Sequence, residues 1–426
     1  LFFYAWGEPR GILLLLASIL VTWLLGRAMR PEASAGRRRG LLILGLVFQL
    51  GLLVAVKYAG FFFGAFIDLP KLHLPLGVSF YTFHAISYLV DVYRQKTPPQ
   101  KNLLRLGLYL ALFPKLVMGP IVPYHELEPA LAQRTIDAQD VSDGCFRFTI
   151  GLAKKALLAD ALAGLVTGIW GDLASLTVLS AWLGLIGYAL QLYFDFSGYS
   201  DMAIGLGRML GFRFPENFRY PYLCSSISDF WRRWHISLGS WFKEYLYFPL
   251  GGSRTGTLRT LRNLLLVWLA TGLWHGASWN YVLWGLYFGV LICLEKLLAP
   301  RFRAHPRKGL LAGLYRPVCL LLAVLGWVLF RAEDLPAAGR YFACLFGGAA
   351  GASAQARLYL HDFWPVLLLG AVGATPLCAK LAGRLGAKLQ PGVRAAVQAV
   401  LVLALLACST VWLLNGSFQS FVYFQF

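Results

Sequence analysis

Apolar residues in this chain come in unbroken runs rather than at alternating positions, a pattern that predicts long helices and not strands. Residues 11–26, 40–56, 173–194, 317–330, 363–379 and 395–414 mark the main apolar runs. More polar runs at 72–92, 106–120 and 148–170 are further candidates. A bilayer core takes roughly 20 apolar residues per helix, so the pattern predicts an all-α integral membrane protein of about nine to twelve membrane helices. Re-entrant and interfacial helices are expected beside them. Residues 263–294 form another run, of 32 residues without Asp, Glu, Lys or Arg, with His275 at its centre in the string TGLWHGASWN at 271–280. That run is too long for one span and predicts two helices with a break near Gly276.

Composition agrees with the pattern. Of 426 residues, 58% are hydrophobic and 14% charged, against about 25% charged in soluble domains. No stretch is long and polar enough to be a separate soluble domain, so residues 1–426 read as one polytopic membrane domain. The net charge of +19 would suggest nucleic acid in a soluble chain. Here Lys and Arg gather in short loops, at Arg27, Arg30 and Arg37 to Arg39, at Arg94, Lys96 and Lys101, at Arg254, Arg259 and Arg262, and at Arg301, Arg303, Arg307 and Lys308. The positive-inside bias assigns these loops to the cytoplasmic face. No basic segment outside a membrane setting is interleaved with aromatics, so nucleic acid is not expected as a partner. The seven cysteines have no C-x-x-C spacing and read as packing thiols. The chain begins at Leu1, and its first six residues read as the end of a helix, so upstream sequence is expected. The first apolar segment is followed by basic residues and not by a small-residue cleavage pattern.

Candidate chemistry crowds into residues 191–280. An ionisable group at bilayer depth costs free energy unless it is paired or used, which makes His275 the leading functional candidate. Residues 229–248 place Trp231, Trp234, Leu238, Trp241, Phe242 and Tyr245 on one face of a helical wheel and the charged side chains opposite. This predicts one amphipathic helix lying along the membrane interface. His235 falls at the border of the aromatic face. It reads either as an interfacial histidine bonded to a backbone carbonyl or as an inward-facing group. Arg232 and Arg233 read either as headgroup anchors or as contacts to an anionic cofactor. Asp195, at the end of an apolar run, is either solvated at the interface or buried and paired with an Arg or His. The glycines of the GLGRMLG string at 205–211 read as packing and turn residues, because the spacing is not that of a phosphate loop. No G-x-S-x-G elbow, Walker lysine or H-E-x-x-H string is present. Two candidate histidines are too few for a catalytic zinc site unless Asp195 or another carboxylate completes it, and no metal is expected.

A neutral imidazole in a dry site can take a proton from a hydroxyl as that hydroxyl attacks a bound carbonyl, help worth about 10²–10⁴ in rate. Gly276 removes a side chain beside His275, which would let a thioester or hydroxyl approach. Proton relay in a transporter or flippase uses the same features, and a Trp-rich scaffold for a polysaccharide-assembly complex is a third reading.

The strings LPLGVSFYTF at 74–83, FDFSGYSDMAI at 194–204, PENF at 215–218, DFWRRWHISL at 229–238 and LWHGA at 273–277 resemble the membrane-bound O-acyltransferase (MBOAT) family. They are most similar to its bacterial branch of alginate and peptidoglycan O-acetyltransferases, with teichoic-acid D-alanyl transfer as a related activity. The motif-dense core runs from about residue 74 to 285, and the similarity continues more weakly to the Phe-rich stretch 418–426. The resemblance implies a ring of tilted helices around a central tunnel, where a cytoplasmic acyl donor meets an extracytoplasmic acceptor. It implies a multi-pass enzyme of the bacterial inner (cytoplasmic) membrane, an O-acetyltransferase acting in cell-envelope polysaccharide modification. The family's catalytic histidine falls on His275 and its second motif histidine on His235. Acetyl-CoA is the implied donor, with no permanently bound cofactor. The implied acceptor is a hydroxyl of an exported polysaccharide or of an esterase-like extracytoplasmic partner protein. In that setting Arg232 and Arg233 would meet the donor's phosphates, and Asp195, Trp274, Asn280 and Trp234 would line or support the tunnel.

Overall fold

The computed structural model describes residues 1–63, 74–254, 256–304, 310–416 and 421, and all regular structure among them is helical. Arg307, Lys308 and most of the stretch 418–426 lie outside the described residues. Among the described residues six helices are long and apolar enough to cross a membrane: Gly11–Ala28, Ala35–Phe63, Val178–Met209, Trp279–Leu298, Gly313–Arg331 and Pro391–Asn415. The pair Ala354–Gly373 and Leu377–Gly386, bent by 67°, makes a seventh if it is one broken span. The remaining expected spans are short, interrupted or charged. Residues 72–92 supply the 16-residue helix Val78–Tyr93. Residues 106–120 break at Leu112 into Leu103–Ala111 and Phe113–Leu116. The segment at 148–170 passes through a π-helical turn, Lys154–Ala159, before Asp160–Trp170. None of the cysteines is in a disulfide, but only Cys224, Cys293 and Cys319 are buried, while Cys145, Cys378 and Cys408 are exposed.

The described chain divides into two units. The first comprises residues 1–145, 203–216 and 240–249. Its centre is Val78–Tyr93, of which every residue but Tyr93 is buried. Small residues let neighbours approach it closely: a Cβ on Gly26 would lie 2.5 Å from the Tyr88 ring, and one on Gly45 would lie 2.6 Å from Leu89. Such close packing is what holds helices together where apolar burial gives no preference between lipid and protein. Gln49, fully buried, ties its helix to the preceding one by donating to Thr22 Oγ1 at 2.8 Å and accepting from Ser18 Oγ at 3.0 Å. In the same unit Trp241 stacks on Phe83 at 3.8 Å and donates to Ser87 Oγ at 2.9 Å. Tyr245 donates to Asp91 Oδ1 at 2.9 Å. Gly207 packs under the Phe214 ring, and Gly211 turns the chain with a φ of +79°, so both glycines serve packing and turning as expected.

The second unit comprises residues 146–202, 217–239 and 250–426. Its hydrophobic core includes Tyr188, Phe230, Trp234, Trp268, Trp284 and Trp327. The run 263–294 folds as expected, into Thr257–His275 and Trp279–Ala304 with the break at Gly276. These two helices meet backbone to backbone. A Cβ on Gly272 would lie 2.3 Å from the Tyr281 carbonyl oxygen, and one on Gly285 would lie 2.4 Å from that of Trp268.

Lys155 is buried among acids, with Nζ 2.6 Å from Asp160 and 2.8 Å from Asp195. All three side chains are nearly inaccessible. Removing one partner of a buried ion pair strands the other charge and typically costs about 3–5 kcal/mol. Lys155→Met is therefore expected to lower the thermal unfolding midpoint of the detergent-solubilised protein sharply. Adding Asp160→Asn and Asp195→Asn to that variant should restore most of the loss. A single Lys155→Met variant as stable as wild type would contradict the pairing.

Candidate active site

His275 is the last residue of Thr257–His275 and is 7% exposed. Its imidazole is enclosed by rings: Trp274 at 4.9 Å, Trp284 at 5.0 Å and Phe330 at 5.1 Å between centroids, the last two nearly perpendicular to it. Gly276 does not open this wall to a substrate as the sequence suggested. A Cβ there would lie 2.2 Å from the Tyr281 ring, so the glycine makes room for Tyr281. The Tyr281 ring in turn packs on Phe330 at 5.2 Å. Asn280, in the first turn of the following helix, donates from Nδ2 to the Ala332 carbonyl at 2.6 Å. Its Oδ1 is buried with no hydrogen-bond partner among the described residues.

His235 lies in the same unit, 2% exposed. Trp274 stands beside both histidines, with its ring 6.3 Å from that of His235. The partner of His235 is a side-chain amide and not the backbone carbonyl considered from the sequence. Its Nδ1 is 3.2 Å from Asn217 Oδ1, which also accepts from the Ser237 backbone N–H at 3.2 Å and the Ser237 hydroxyl at 2.9 Å. Asn217 Nδ2 donates to Ser200 Oγ at 3.1 Å, and its backbone carbonyl accepts from Ile236 N–H at 3.0 Å. This network assigns the proton to Nδ1 of His235, because the amide oxygen can only accept. Nε2, buried and without a hydrogen-bond partner among the described residues, then keeps its lone pair. Phe196 packs edge-on against the ring at 4.6 Å.

The amphipathic helix expected over 229–248 is not continuous. It divides into Ile227–Trp231 and Ile236–Phe242, followed by a π-helical turn, Lys243–Tyr247. His235 sits at the break with φ +45°, a left-handed conformation that ends a helix. The aromatic residues of both halves pack against other rings of the protein, Phe230 on Trp234, Trp231 on Trp268 and Trp241 on Phe83. Trp234, 4% exposed, lies 4.8 Å from Trp327 and 5.1 Å from Phe218. It supports the core on which the His235 turn rests.

Arg232 and Arg233 both lean on Asp229, at 3.5 Å and 3.0 Å. Burial alone would raise the Asp229 carboxyl. The Ser225 N–H and hydroxyl together with the Arg233 guanidinium outweigh it and hold the group below the usual carboxylate range. Arg232 remains 70% exposed at its side chain. Asp195 is fully buried and not solvated, and it pairs with Lys155, a partner that the sequence reading of an Arg or His did not include. Sequence reasoning missed Lys155 because a lysine in the string AKKALLAD gives no sign of facing inward. Asn217 lay inside the quoted PENF string, where a turn residue and a clamp look alike. Among the described residues, one trio could present three metal-ligand atoms together, Asp91, His125 and Glu244, and it contains neither His235 nor His275.

The site thus holds two imidazoles within an aromatic shell, each beside Trp274, and Nε2 of His235 keeps its lone pair. The model of the membrane-bound O-acyltransferase family matches residues 100–323. The probable alginate O-acetylase of Pseudomonas aeruginosa is 43% identical over 358 residues, covering 81% of this chain and 68% of that protein. The peptidoglycan O-acetyltransferase of Helicobacter pylori is 36% identical over 374 residues, covering 79% and 70%. The teichoic acid D-alanyltransferase of Bacillus subtilis is 29% identical over 249 residues, covering 53% and 62%. With the family match spanning both His235 and His275, the chain is an O-acyltransferase and belongs to the membrane-bound O-acyltransferase family.

Proposed function

We propose that this enzyme is a membrane O-acetyltransferase that moves an acetyl group from a cytoplasmic donor, acetyl-CoA, to a hydroxyl of an exported polysaccharide or of a partner protein that modifies it. The observation that carries the proposal is the enclosure of His275 by Trp274, Trp284 and Phe330 at the end of a helix hairpin. The relatives named for alginate and peptidoglycan O-acetylation support acetyl as the group and an envelope polymer as its destination. A transporter reading draws no support from them, since each is named for a transfer or acetylation activity.

In the proposed step the acceptor oxygen attacks the thioester carbonyl carbon while an imidazole nitrogen of His275 takes the hydroxyl proton. The tetrahedral intermediate collapses by breaking the C–S bond, and the imidazolium returns the proton to the departing thiolate. The products are an O-acetyl ester and CoA. His235, held by Asn217, is a second polar group of the site, and Arg232 contacts the donor's phosphates. The enzyme sits in the bacterial inner membrane, and an esterase-like extracytoplasmic protein completes delivery to the polymer.

His275→Ala is expected to reduce the O-acetyl content of the envelope polymer at least about a hundredfold, the low end of what a general base supplies, at unchanged protein level. Wild-type acetylation by that variant would remove the mechanism. If Asn217 acts by holding His235, Asn217→Leu, His235→Ala and the double variant should show similar residual activity, with a strong coupling in the double-mutant cycle. Independent, additive losses would show that Asn217 serves the fold alone. Each variant is compared at matched, monodisperse protein by size exclusion.

A further inference from the structure

The first unit contains an open cavity of about 710 Å³ where the chain turns from Gly11–Ala28 into Ala35–Leu53, lined by Leu24, Arg27, Arg30, Glu32 and Arg37. Its volume lies within the roughly 300–1,000 Å³ usual for ligand sites. Three arginines line this one cavity against a single glutamate, and Arg30 and Arg37 are exposed. None of the three guanidiniums makes an ion pair among the described residues. Arg27 is half-buried, with its guanidinium 5.8 Å from the centre of the Trp23 ring. The cavity joins the ends of two candidate membrane spans and so lies at a bilayer surface.

The wall below it is apolar and exposed. Leu13, Leu16, Leu20 and Leu24 are 67%, 41%, 46% and 50% exposed, and their spacing puts them along one face of the helix. Leu16 and Leu20 also line an apolar groove of about 520 Å³ together with Leu103, Leu104 and Leu108. From Leu13 to Leu24 the helix rises about 16 Å, close to half of a hydrocarbon core about 30 Å thick.

We propose that this face binds an anionic phospholipid, with an acyl chain in the groove along Leu16 and Leu20 and the headgroup phosphate on Arg27, Arg30 and Arg37. Guanidinium forks match phosphate oxygens in pairs, which suits them to this headgroup. A soluble phosphate compound would meet the arginines equally well but has no use for the leucine groove, so the groove selects the lipid.

The test uses the full chain in nanodiscs of equal phosphatidylglycerol and phosphatidylcholine, extracted into mild detergent and examined by native mass spectrometry. Wild type should retain phosphatidylglycerol selectively. Each arginine near a membrane surface is worth about fivefold in affinity, so Arg27→Gln with Arg30→Gln should cut retention by roughly twentyfold or more. Arg254→Gln with Arg259→Gln, the same charge change in another loop, should leave retention unchanged. Leu20→Trp should fill the groove and also weaken retention, while millimolar CoA or inorganic phosphate should not displace the lipid. Equal retention of the two lipids, equal loss in the two double variants, no loss in Leu20→Trp, or displacement by CoA or phosphate would overturn the assignment. Unfolding midpoints of all variants in zwitterionic detergent identify any that lose lipid by misfolding, and Arg37→Gln then serves as the replacement variant with the same fivefold expectation.

Discussion

The backbone contact between Gly272 and the Tyr281 to Gly285 turn of the following helix decides where the chemistry can be, because no side chain separates the two helices there. Inside a bilayer such close approach, more than apolar burial, holds helices together. With the pair pinned at Gly272 and Gly285, the chain must reverse within the few residues after His275. Tyr281 then lands over Gly276, and Trp284 comes against the imidazole. The position of His275 is thus set by packing at the tip of a hairpin, a more rigid support than a loop would give.

A second constraint is the treatment of buried polar groups. The left-handed conformation of His235 costs of order 1–3 kcal/mol and persists only where its surroundings over-determine it. Asn217 supplies that excess, since its side-chain oxygen meets His235, the Ser237 N–H and the Ser237 hydroxyl together. The acids around Lys155 follow the same rule: one buried ammonium serves two buried carboxylates. Polar groups of this kind keep their places only while each has its partner, which is why they can hold a site in a fixed geometry.

Much of this was legible in the sequence, and the failures have definite causes. The break near Gly276 followed from length alone, since 32 uncharged residues exceed one span. The cost of an ionisable group in such a run singled out His275, and the structure places it buried at the tip of the hairpin. The long amphipathic helix failed because a helical wheel assumes an unbroken helix. The break at His235 depends on Asn217, which lies 18 residues earlier in the chain, beyond the reach of any local pattern. The role of Gly276 was misread because a missing side chain does not say what fills the space; Tyr281 does. The all-helical membrane architecture followed from the apolar runs; hydropathy alone did not show that residues 106–120 break at Leu112, or that 148–170 contains a π-helical turn.

The central claim is that His275 transfers protons during acyl transfer from a CoA thioester. The direct measurement is release of free CoA from radiolabelled acetyl-CoA by the purified, detergent-solubilised protein, wild type against His275→Ala, with and without an acceptor protein from the same envelope system. The mechanism predicts release that requires His275, with label appearing on the acceptor. Release at the same rate from His275→Ala, or none from the wild type with any acceptor together with no specific CoA binding, would contradict it.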